Sequence, residues 1–173
     1  EIADLFIDIG ATDKADAQSL VRVGDPITMT NEFEHLRGNL AVARAFDNRI
    51  GTWAVAETLR LLREQTAPIA VEVCAVSNVQ EEVGLLGARQ IAYSLQPDVA
   101  LVVDVTHATD CPTVDDKQYG DISLGDGPVL YRGPNINPTL HAKLVQLAVT
   151  GEIPHQVGGL SRAASNDANV MQV

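Results

Sequence analysis

The sequence predicts an α/β domain with a mostly parallel sheet sandwiched by helices, and two observations carry that prediction. Apolar runs with the length of buried strands occur at residues 69–76 and 99–103. Segments with apolar residues at helical spacing flank them, at residues 52–64, at 84–95 and after Asn137. Buried strands that alternate with helices are typical of parallel sheets covered on both faces.

Residues 1–43 have a different pattern from the rest of the chain. Apolar alternation over residues 2–10 predicts a half-buried strand, and residues 13–17 favour a short helix. Residues 24–26 (Gly-Asp-Pro) predict a turn, which the β-favouring residues 27–30 follow. We therefore expect this stretch to be the edge of a small β-type unit joined to the α/β domain.

Each of the three predicted helices carries apolar residues on one face. Asn137 and Pro138 supply a favourable N-cap and first residue for the third helix, and Gly151 ends it. The apolar positions at helical spacing are Trp53, Ala56, Leu59 and Leu62 in the first helix, Leu85, Ala88, Ile91 and Leu95 in the second, and Leu140, Leu144 and Leu147 in the third.

Length and charge restrict the fold and the classes of partner. The chain has 173 residues, of which 46% are hydrophobic and 20% charged, so we expect one domain, or one plus a fragment, with a self-sufficient core. Asp and Glu (23) outnumber Lys and Arg (12), for a net charge of −11. This balance argues against nucleic acids and anionic membranes, because phosphate binding requires clustered basic residues. It leaves carboxylates available for metal ions.

The cysteines and the apolar runs bear on the compartment. Cys74 lies in an apolar run, which predicts a buried thiol, and with Cys111 as the only other cysteine the chain has no disulfide framework. No apolar run approaches the length of about 18 residues that spans a membrane, and no signal peptide opens the sequence. We therefore expect a cytoplasmic protein.

Four acidic side chains occur where the ligand-binding edge of the predicted sheet should lie. The first predicted strand continues into Glu81 and Glu82, the second ends directly at Asp104, and Asp47 lies just before the first helix. Ligands of open α/β sheets bind outside the carboxyl ends of the strands. Carboxylates gathered at that edge repel one another unless a cation neutralises them.

Each of these acids also has a purely structural interpretation, which the residues alone leave open. Asp47 would N-cap the helix that follows it, Glu81 and Glu82 would interact with the positive end of a helix, and Asp104 would be an ordinary turn residue. In a metal site, by contrast, one of two adjacent carboxylates binds an ion while the other takes a proton from water. An aspartate that uses both oxygens can bridge two ions about 3.5–4 Å apart.

Several motifs carry a resemblance to a known family. They are residues 45–51 (AFDNRIG), 79–88 (VQEEVGLLGA), 102–110 (VVDVTHATD), 125–128 (GDGP), 133–138 (GPNINP) and 165–168 (SNDA). In their order and spacing, over nearly the whole chain, they closely resemble the cytosolic dinuclear metal aminopeptidases. This is metallopeptidase family forty-two, which includes tetrahedral and glutamyl aminopeptidases.

The resemblance implies a role for each of the four acids. Asp47 matches the bridging metal ligand, Glu82 a ligand of one ion and Asp104 a ligand of the other, while Glu81 matches the general base. The implied cofactors are two divalent ions, zinc or cobalt. The implied reaction removes N-terminal residues from short peptides by attack of activated water, on an aminopeptidase-like α/β fold. The full-length protein is expected to be a homo-oligomer, for example a dodecamer.

The resemblance also implies that the chain is incomplete. Residues 1–43 match the C-terminal remnant of the family's inserted β-barrel domain, and residues 44–173 match an incomplete catalytic domain. The family's two histidine ligands, one in a His-x-Asp motif near its N-terminus and one near its C-terminus, have no match. The first residue, Glu1, is not an initiator methionine, which agrees with a piece of a longer polypeptide.

The histidines that the chain does contain are poor substitutes. His107 follows Asp104 by three residues and is expected to line the site without binding metal. The other three are expected to be structural or solvated: His35, His141 and His155. Asp167 matches a family acid near the active site, and either a positioning role or a structural turn role fits it.

Two other functions remain open. Glu81 and Asp104 in principle flank a sugar bond, as in a glucanase-type glycoside hydrolase. Such sites usually offer aromatic platforms, however, and Trp53 is the only tryptophan. A non-catalytic homologue is the second alternative, because the histidine ligands have no match. The sequence does not indicate which N-terminal residue is preferred or which metal is bound.

We expect the isolated 173-residue chain to be nearly inactive as an aminopeptidase, because mostly carboxylate sites bind zinc less well than sites with nitrogen ligands. Hydrolysis of aminoacyl-anilides by this chain and by a longer form of the protein, at equal concentration with zinc or cobalt, tests the expectation. Comparable turnover by the two would contradict it.

Overall fold

The computed structural model describes residues 4–171 and divides the chain into two compact units, Glu1–Arg44 and Ala45–Val173. Each unit is described by itself. The assignment of residues 1–43 to the end of an inserted β-barrel domain stays a prediction.

The first unit contains one helix and one short antiparallel pair. Helix α1 (Lys14–Leu20) begins after Asp13, whose carboxylate accepts a hydrogen bond of 2.9 Å from the Asp16 N–H. Strand β1 (Glu34–His35) pairs with strand β2 (Ala41–Val42). The short helix predicted at residues 13–17 is therefore confirmed.

Two predicted strands of the first unit are absent from its described part. Residues 4–10 and 27–30 form no strand, and Ile2 and Ala3 lie outside the described residues. The apolar side chains of these segments, such as Phe6 and Met29, are exposed. No other described segment covers these side chains. Alternation of apolar residues was therefore not sufficient for these segments to form strands.

The second unit contains the three predicted helices. They are α2 (Phe46–Glu64), α3 (Leu86–Leu95) and α5 (Pro138–Thr150), with a short additional helix α4 (Asp116–Tyr119). At the start of α5 the Asn137 side chain accepts hydrogen bonds from the N–H groups of Thr139 (3.0 Å) and Leu140 (3.1 Å). The Asn-Pro start and the Gly151 end are thus both confirmed. In the described residues, no helix is long and apolar enough to cross a membrane.

A parallel strand pair accompanies α5. Strand β3 (Val129–Arg132) and strand β4 (Gln156–Gly159) are parallel, with Leu130 opposite Val157. Helix α5 connects them and packs against β3, which makes a βαβ unit. The sequence analysis identified the helix but neither strand, because each strand has only four residues and β4 contains two glycines.

The two apolar runs predicted as buried strands do not form strands. No backbone hydrogen bond joins residues 69–76 or 99–103 to another segment within the described chain. Their apolar side chains are correspondingly open to solvent, with Val71 70% and Leu101 59% exposed. Cys74, predicted to be a buried thiol, is exposed for the same reason.

The core is much smaller than the length of the chain suggests. Among the described residues the buried hydrophobic side chains are Ala88, Ala92, Ile122 and Ala148, and none of them is large. The accessible surface is 14410 Å², whereas a folded monomer of this mass exposes about 8,200 Å². Trp53, placed on the apolar face of α2, is 64% exposed. The expectation of a self-sufficient core is therefore wrong for this segment.

Replacement of Asn137 by Ala should lower the free energy of unfolding by about 1 kcal/mol, because two N–H groups of α5 lose their acceptor. Urea unfolding of the longer natural protein measures the change. Asn137→Asp is the matched control and should be nearly neutral, since its carboxylate accepts the same bonds. Equal losses in both variants would contradict this role.

Candidate active site

Asp47 lies in the first turn of α2 but does not cap the helix. The residue at the N-cap position is Ala45, in the left-handed region at φ 63°, and it makes no side-chain capping bond. Asp47 itself has a non-helical ψ of 108° and is exposed. The structural interpretation of Asp47 as an N-cap is therefore wrong, and its carboxylate remains available for a ligand.

Asn48 connects the start of α2 to the segment that precedes Asp104. Its side-chain NH₂ donates to the Val103 carbonyl (2.8 Å), and its side-chain oxygen accepts from the Gly51 N–H (2.8 Å). A Cβ on Gly51 would overlap the Asn48 side chain and lie 2.7 Å from the Val103 carbonyl oxygen. Glycine is thus required where α2 approaches this segment, and Asn48 places Asp47 and Asp104 on neighbouring backbones.

Glu81 and Glu82 lie in a turn that folds back onto the start of α3. The Val79 carbonyl accepts from the Gly87 N–H (3.1 Å), and the Glu81 carbonyl accepts from the Leu85 N–H (3.0 Å). The turn ends before α3 begins at Leu86, so the two glutamates are not first-turn helix acids. A Cβ on Gly87 would overlap the Val79 carbonyl, which explains why a glycine allows this close return of the chain.

Two further polar residues, Asn166 and Asp167, contact the site from a fourth segment. Asp167 accepts a hydrogen bond of 2.7 Å from the Asn78 side chain, three residues before Glu81. Asn166 lies beside the Asp104 carboxylate and lowers its pKa. Asn166 and Asp167 come from the Ser-Asn-Asp-Ala motif, but Asn48 and Asn78 were missed by the sequence analysis, which looked for acids and histidines rather than for the amides that orient them.

The carboxylates lie close enough to repel one another. Burial raises the pKa of Glu81, and the negative charges of four neighbours raise it further: Asp104, Glu82, Asp167 and Asp47. Burial also raises the pKa of Asp104, against the opposing effect of the Val105 N–H, which donates to its carboxylate at 2.8 Å. The charges of Asp47, Glu82 and Asp104 thus all act on Glu81, while the roles predicted for the four acids stay predictions.

This environment fits divalent cations in donor type and charge, because uncompensated carboxylates are the oxygen ligands such ions bind. Within residues 4–171, however, no three histidine, cysteine, aspartate or glutamate side chains converge closely enough to hold one ion. The acids of this segment are therefore neighbours rather than a complete coordination shell.

The histidines are engaged elsewhere. His107 packs edge-on against Tyr119, with 5.2 Å between ring centroids, and the His155 ring bonds the Ile153 carbonyl (2.9 Å). His35 packs against Phe33, and His141 lies 3.4 Å from the Leu130 carbonyl. The expectation that none of the four histidines binds metal stays a prediction.

Two acids of the chain between residues 104 and 126 have structural roles of their own. Asp110 accepts a hydrogen bond from the Leu124 N–H (3.0 Å), and Asp115 caps α4 by accepting from the Lys117 N–H (2.9 Å). Neither contributes to the raised pKa of Glu81.

In the metal-free protein, Asp104→Asn should lower the pKa of Glu81, because one repelling charge is removed. A raised pKa means that the folded state binds the Glu81 proton more tightly than the unfolded state. The free energy of unfolding therefore falls as the pH rises from the ordinary pKa of 4.5 to the raised pKa of folded Glu81. The variant should lose less of this free energy over the same pH window.

Carboxyl-carbon NMR titration of Glu81 and urea unfolding at several pH values measure both effects. Asp115→Asn is the matched control, since Asp115 caps α4 and does not act on Glu81. An unchanged Glu81 pKa in Asp104→Asn, or an equal decrease in the control, would contradict the repulsion.

Comparison with known proteins identifies the family. Residues 1–173 match the sequence model of the M42 glutamyl aminopeptidases. The chain is 36% identical over 170 residues to the lysyl aminopeptidase of Pyrococcus furiosus, covering 98% of this chain and 47% of that protein. The chain thus spans about half the length of the curated relatives it matches.

Solved structures agree with the sequence comparison. A TET aminopeptidase from a marine-sediment archaeon of the Thaumarchaeota superposes with a TM-score of 0.85 and 34% identity, over 99% of this chain and 48% of that one. The TET1 peptidase of Pyrococcus horikoshii, described as assembling into a tetrahedron or a large octahedral shell, gives 0.67 and 27%, over 93% and 47%. The α/β class is thereby confirmed, although two of its strands are not formed here. The chain belongs to the M42 glutamyl aminopeptidase family.

Proposed function

We propose that the whole protein containing this chain is a metal-dependent aminopeptidase that removes N-terminal residues from short peptides. The observation that carries the proposal is Glu81, whose pKa is raised by burial and by four surrounding carboxylates. Membership in an aminopeptidase family supports the same chemistry and implies the use of divalent metal ions.

The ligands proposed from this chain are Asp47, Glu82 and Asp104. Asp47 would bridge two ions, zinc or cobalt, with Glu82 on one and Asp104 on the other. Bound divalent ions lower the pKa of water and polarise a carbonyl oxygen, which is the chemistry that peptide hydrolysis requires. Each ion would take one further imidazole from histidines outside this chain, since the histidines described here are engaged in other contacts.

Glu81 is proposed as the general base. A carboxylate can take a proton from water within hydrogen-bond reach, and Glu81 lies beside the three acids proposed as metal ligands. Glu81 would take one proton from the water that attacks the first peptide carbonyl. It would then deliver that proton to the leaving amine nitrogen as the C–N bond breaks, which returns Glu81 to its carboxylate form.

Assembly and location are proposed by the same analogy. The homologous TET1 peptidase is described as forming closed shells, which supports a homo-oligomer, such as a dodecamer, for the whole protein. A cytoplasmic location is proposed because the chain has no disulfide framework. No observation favours the glucanase alternative, since the named relatives are aminopeptidases.

Glu81→Gln in the whole protein should lower kcat for an aminoacyl-anilide by about 10²- to 10⁴-fold, because the amide cannot accept the proton. Its metal content, measured by elemental analysis, should not change. Glu82→Gln should instead weaken metal binding, seen as a higher metal concentration for half-maximal activity. Asp115→Asn, at the cap of α4, is the control and should match the parent.

A parent-like kcat in Glu81→Gln would contradict the assignment of the base. Activity that persists in chelator would contradict the metal-dependent reaction as a whole.

A further inference from the structure

One side-chain hydrogen bond joins the turn of Glu81 to a distant part of the chain. The Asn78 NH₂ donates to Asp167 Oδ2 at 2.7 Å, between residues 89 positions apart, and both residues are half-buried. In the described chain it is the side-chain bond that ties residues 77–82 to another segment. The backbone bonds of this turn all go to the adjacent residues 84–87.

The Asp167 carboxylate is shielded from solvent on one side. Its Oδ2 accepts from Asn78, and its second oxygen, Oδ1, is buried and has no hydrogen-bond partner in the described residues. The backbone around it is also constrained, because the Asn166 and Asp167 carbonyls accept from the N–H groups of Asn169 (3.0 Å) and Val170 (3.1 Å). Asp167 is thus a half-buried acceptor on a hydrogen-bonded turn.

Asn166, the residue before Asp167, contacts Asp104. The Asn166 side-chain oxygen accepts from the Ala168 N–H (3.2 Å), which leaves the Asn166 NH₂ to face the Asp104 carboxylate beside it. Upstream, the Asn135 side-chain oxygen accepts from the Ala164 N–H (3.0 Å) and anchors the same segment. Asp167 therefore contacts Asn78 in the turn of Glu81, and Asn166 contacts Asp104.

Within the described residues, no strand ladder joins the segments that precede Glu81 and Asp104, and the other contact described for them is that of Asn48 with the Val103 carbonyl. Residues 69–76 and 99–103 form no backbone ladder with each other or with a neighbour in the part of the chain described. The distance between Glu81 and Asp104 therefore depends on side-chain contacts such as those of Asn166 and Asp167. A catalytic base displaced by about 1 Å can lose on the order of 10²-fold in rate.

We propose that Asp167 is a positioning residue that holds Asn78, and through it the turn of Glu81, in register with Asp104. The inference rests on the proposed aminopeptidase function. Asp167 acts through its hydrogen bond and not as a metal ligand or a proton carrier. An asparagine at this position would retain the bond, since its side-chain oxygen can accept from Asn78, whereas an alanine would not.

The test uses the whole protein loaded with zinc or cobalt and four variants. Asp167→Ala removes the acceptor, and Asn78→Asp places two carboxylates opposite each other. Asp167→Asn keeps the acceptor, and the double variant Asn78→Asp with Asp167→Asn restores the bond with donor and acceptor exchanged. Asp110→Asn, in a loop bond to Leu124, is the control for loss of one negative charge.

The expected result is a loss of kcat of roughly 10- to 100-fold in Asp167→Ala and Asn78→Asp, with little change in KM. Asp167→Asn should lose much less kcat than Asp167→Ala, Asp110→Asn should stay close to the parent, and the double variant should regain most of the kcat lost in Asn78→Asp. Rates are divided by the metal-loaded, folded fraction, so that partial unfolding does not imitate a loss of kcat.

Equal losses in Asp167→Asn and Asp167→Ala would overturn positioning in favour of a role for the charge. Unchanged kcat in Asp167→Ala, or a double variant no better than Asn78→Asp, would overturn it as well. A parent protein without metal-dependent peptidase activity would overturn the proposed function and the positioning role together. The first three results would leave the proposed function standing.

Discussion

Mutual repulsion among carboxylates is the constraint on which the candidate site depends. Four carboxylates raise the pKa of Glu81, and no basic side chain of the described residues offsets them. They are Asp104, Glu82, Asp167 and Asp47. Such a concentration of negative charge costs free energy unless the charges are neutralised by protons or by cations. The chain nevertheless places these acids on four separate segments that meet only in the fold.

Asparagine side chains and glycines, rather than a continuous sheet, bring these segments together. Asn48 joins the start of α2 to Val103, Asn78 joins the turn of Glu81 to Asp167, and Gly51 and Gly87 allow the backbones to approach. Asn48 directly follows Asp47, and Asn78 lies three residues before Glu81, so these two acids each have an anchoring asparagine close by in the sequence. This arrangement keeps the carboxylates themselves available for ligands.

The sequence predicts the parts of this structure that depend on local interactions. Helices α2, α3 and α5 appear where apolar spacing and the Asn137 cap indicate them, because helical hydrogen bonds form within the segment itself. The strands at 69–76 and 99–103 are not formed, because a strand requires a partner and no segment described here pairs with them. The buried Cys74 and the larger core were expected on the same assumption and fail with it.

The candidate site shows the same division between features that depend on local sequence and features that depend on distant partners. The acids could be found from the sequence, because they follow apolar runs and occur in motifs that resemble a known family. Asn48 and Asn78 could not, because an asparagine beside an acid is common and only the fold shows which distant group it bonds. The accessible surface is large for a chain of this length, and the chain spans about half the length of the relatives it matches.

The most direct test of the central claim is anomalous diffraction from crystals of the whole protein grown with zinc or cobalt. The account predicts two anomalous peaks bridged by Asp47, with Glu82 at one and Asp104 at the other. The absence of any peak at these carboxylates in a fully metal-supplemented crystal would contradict it.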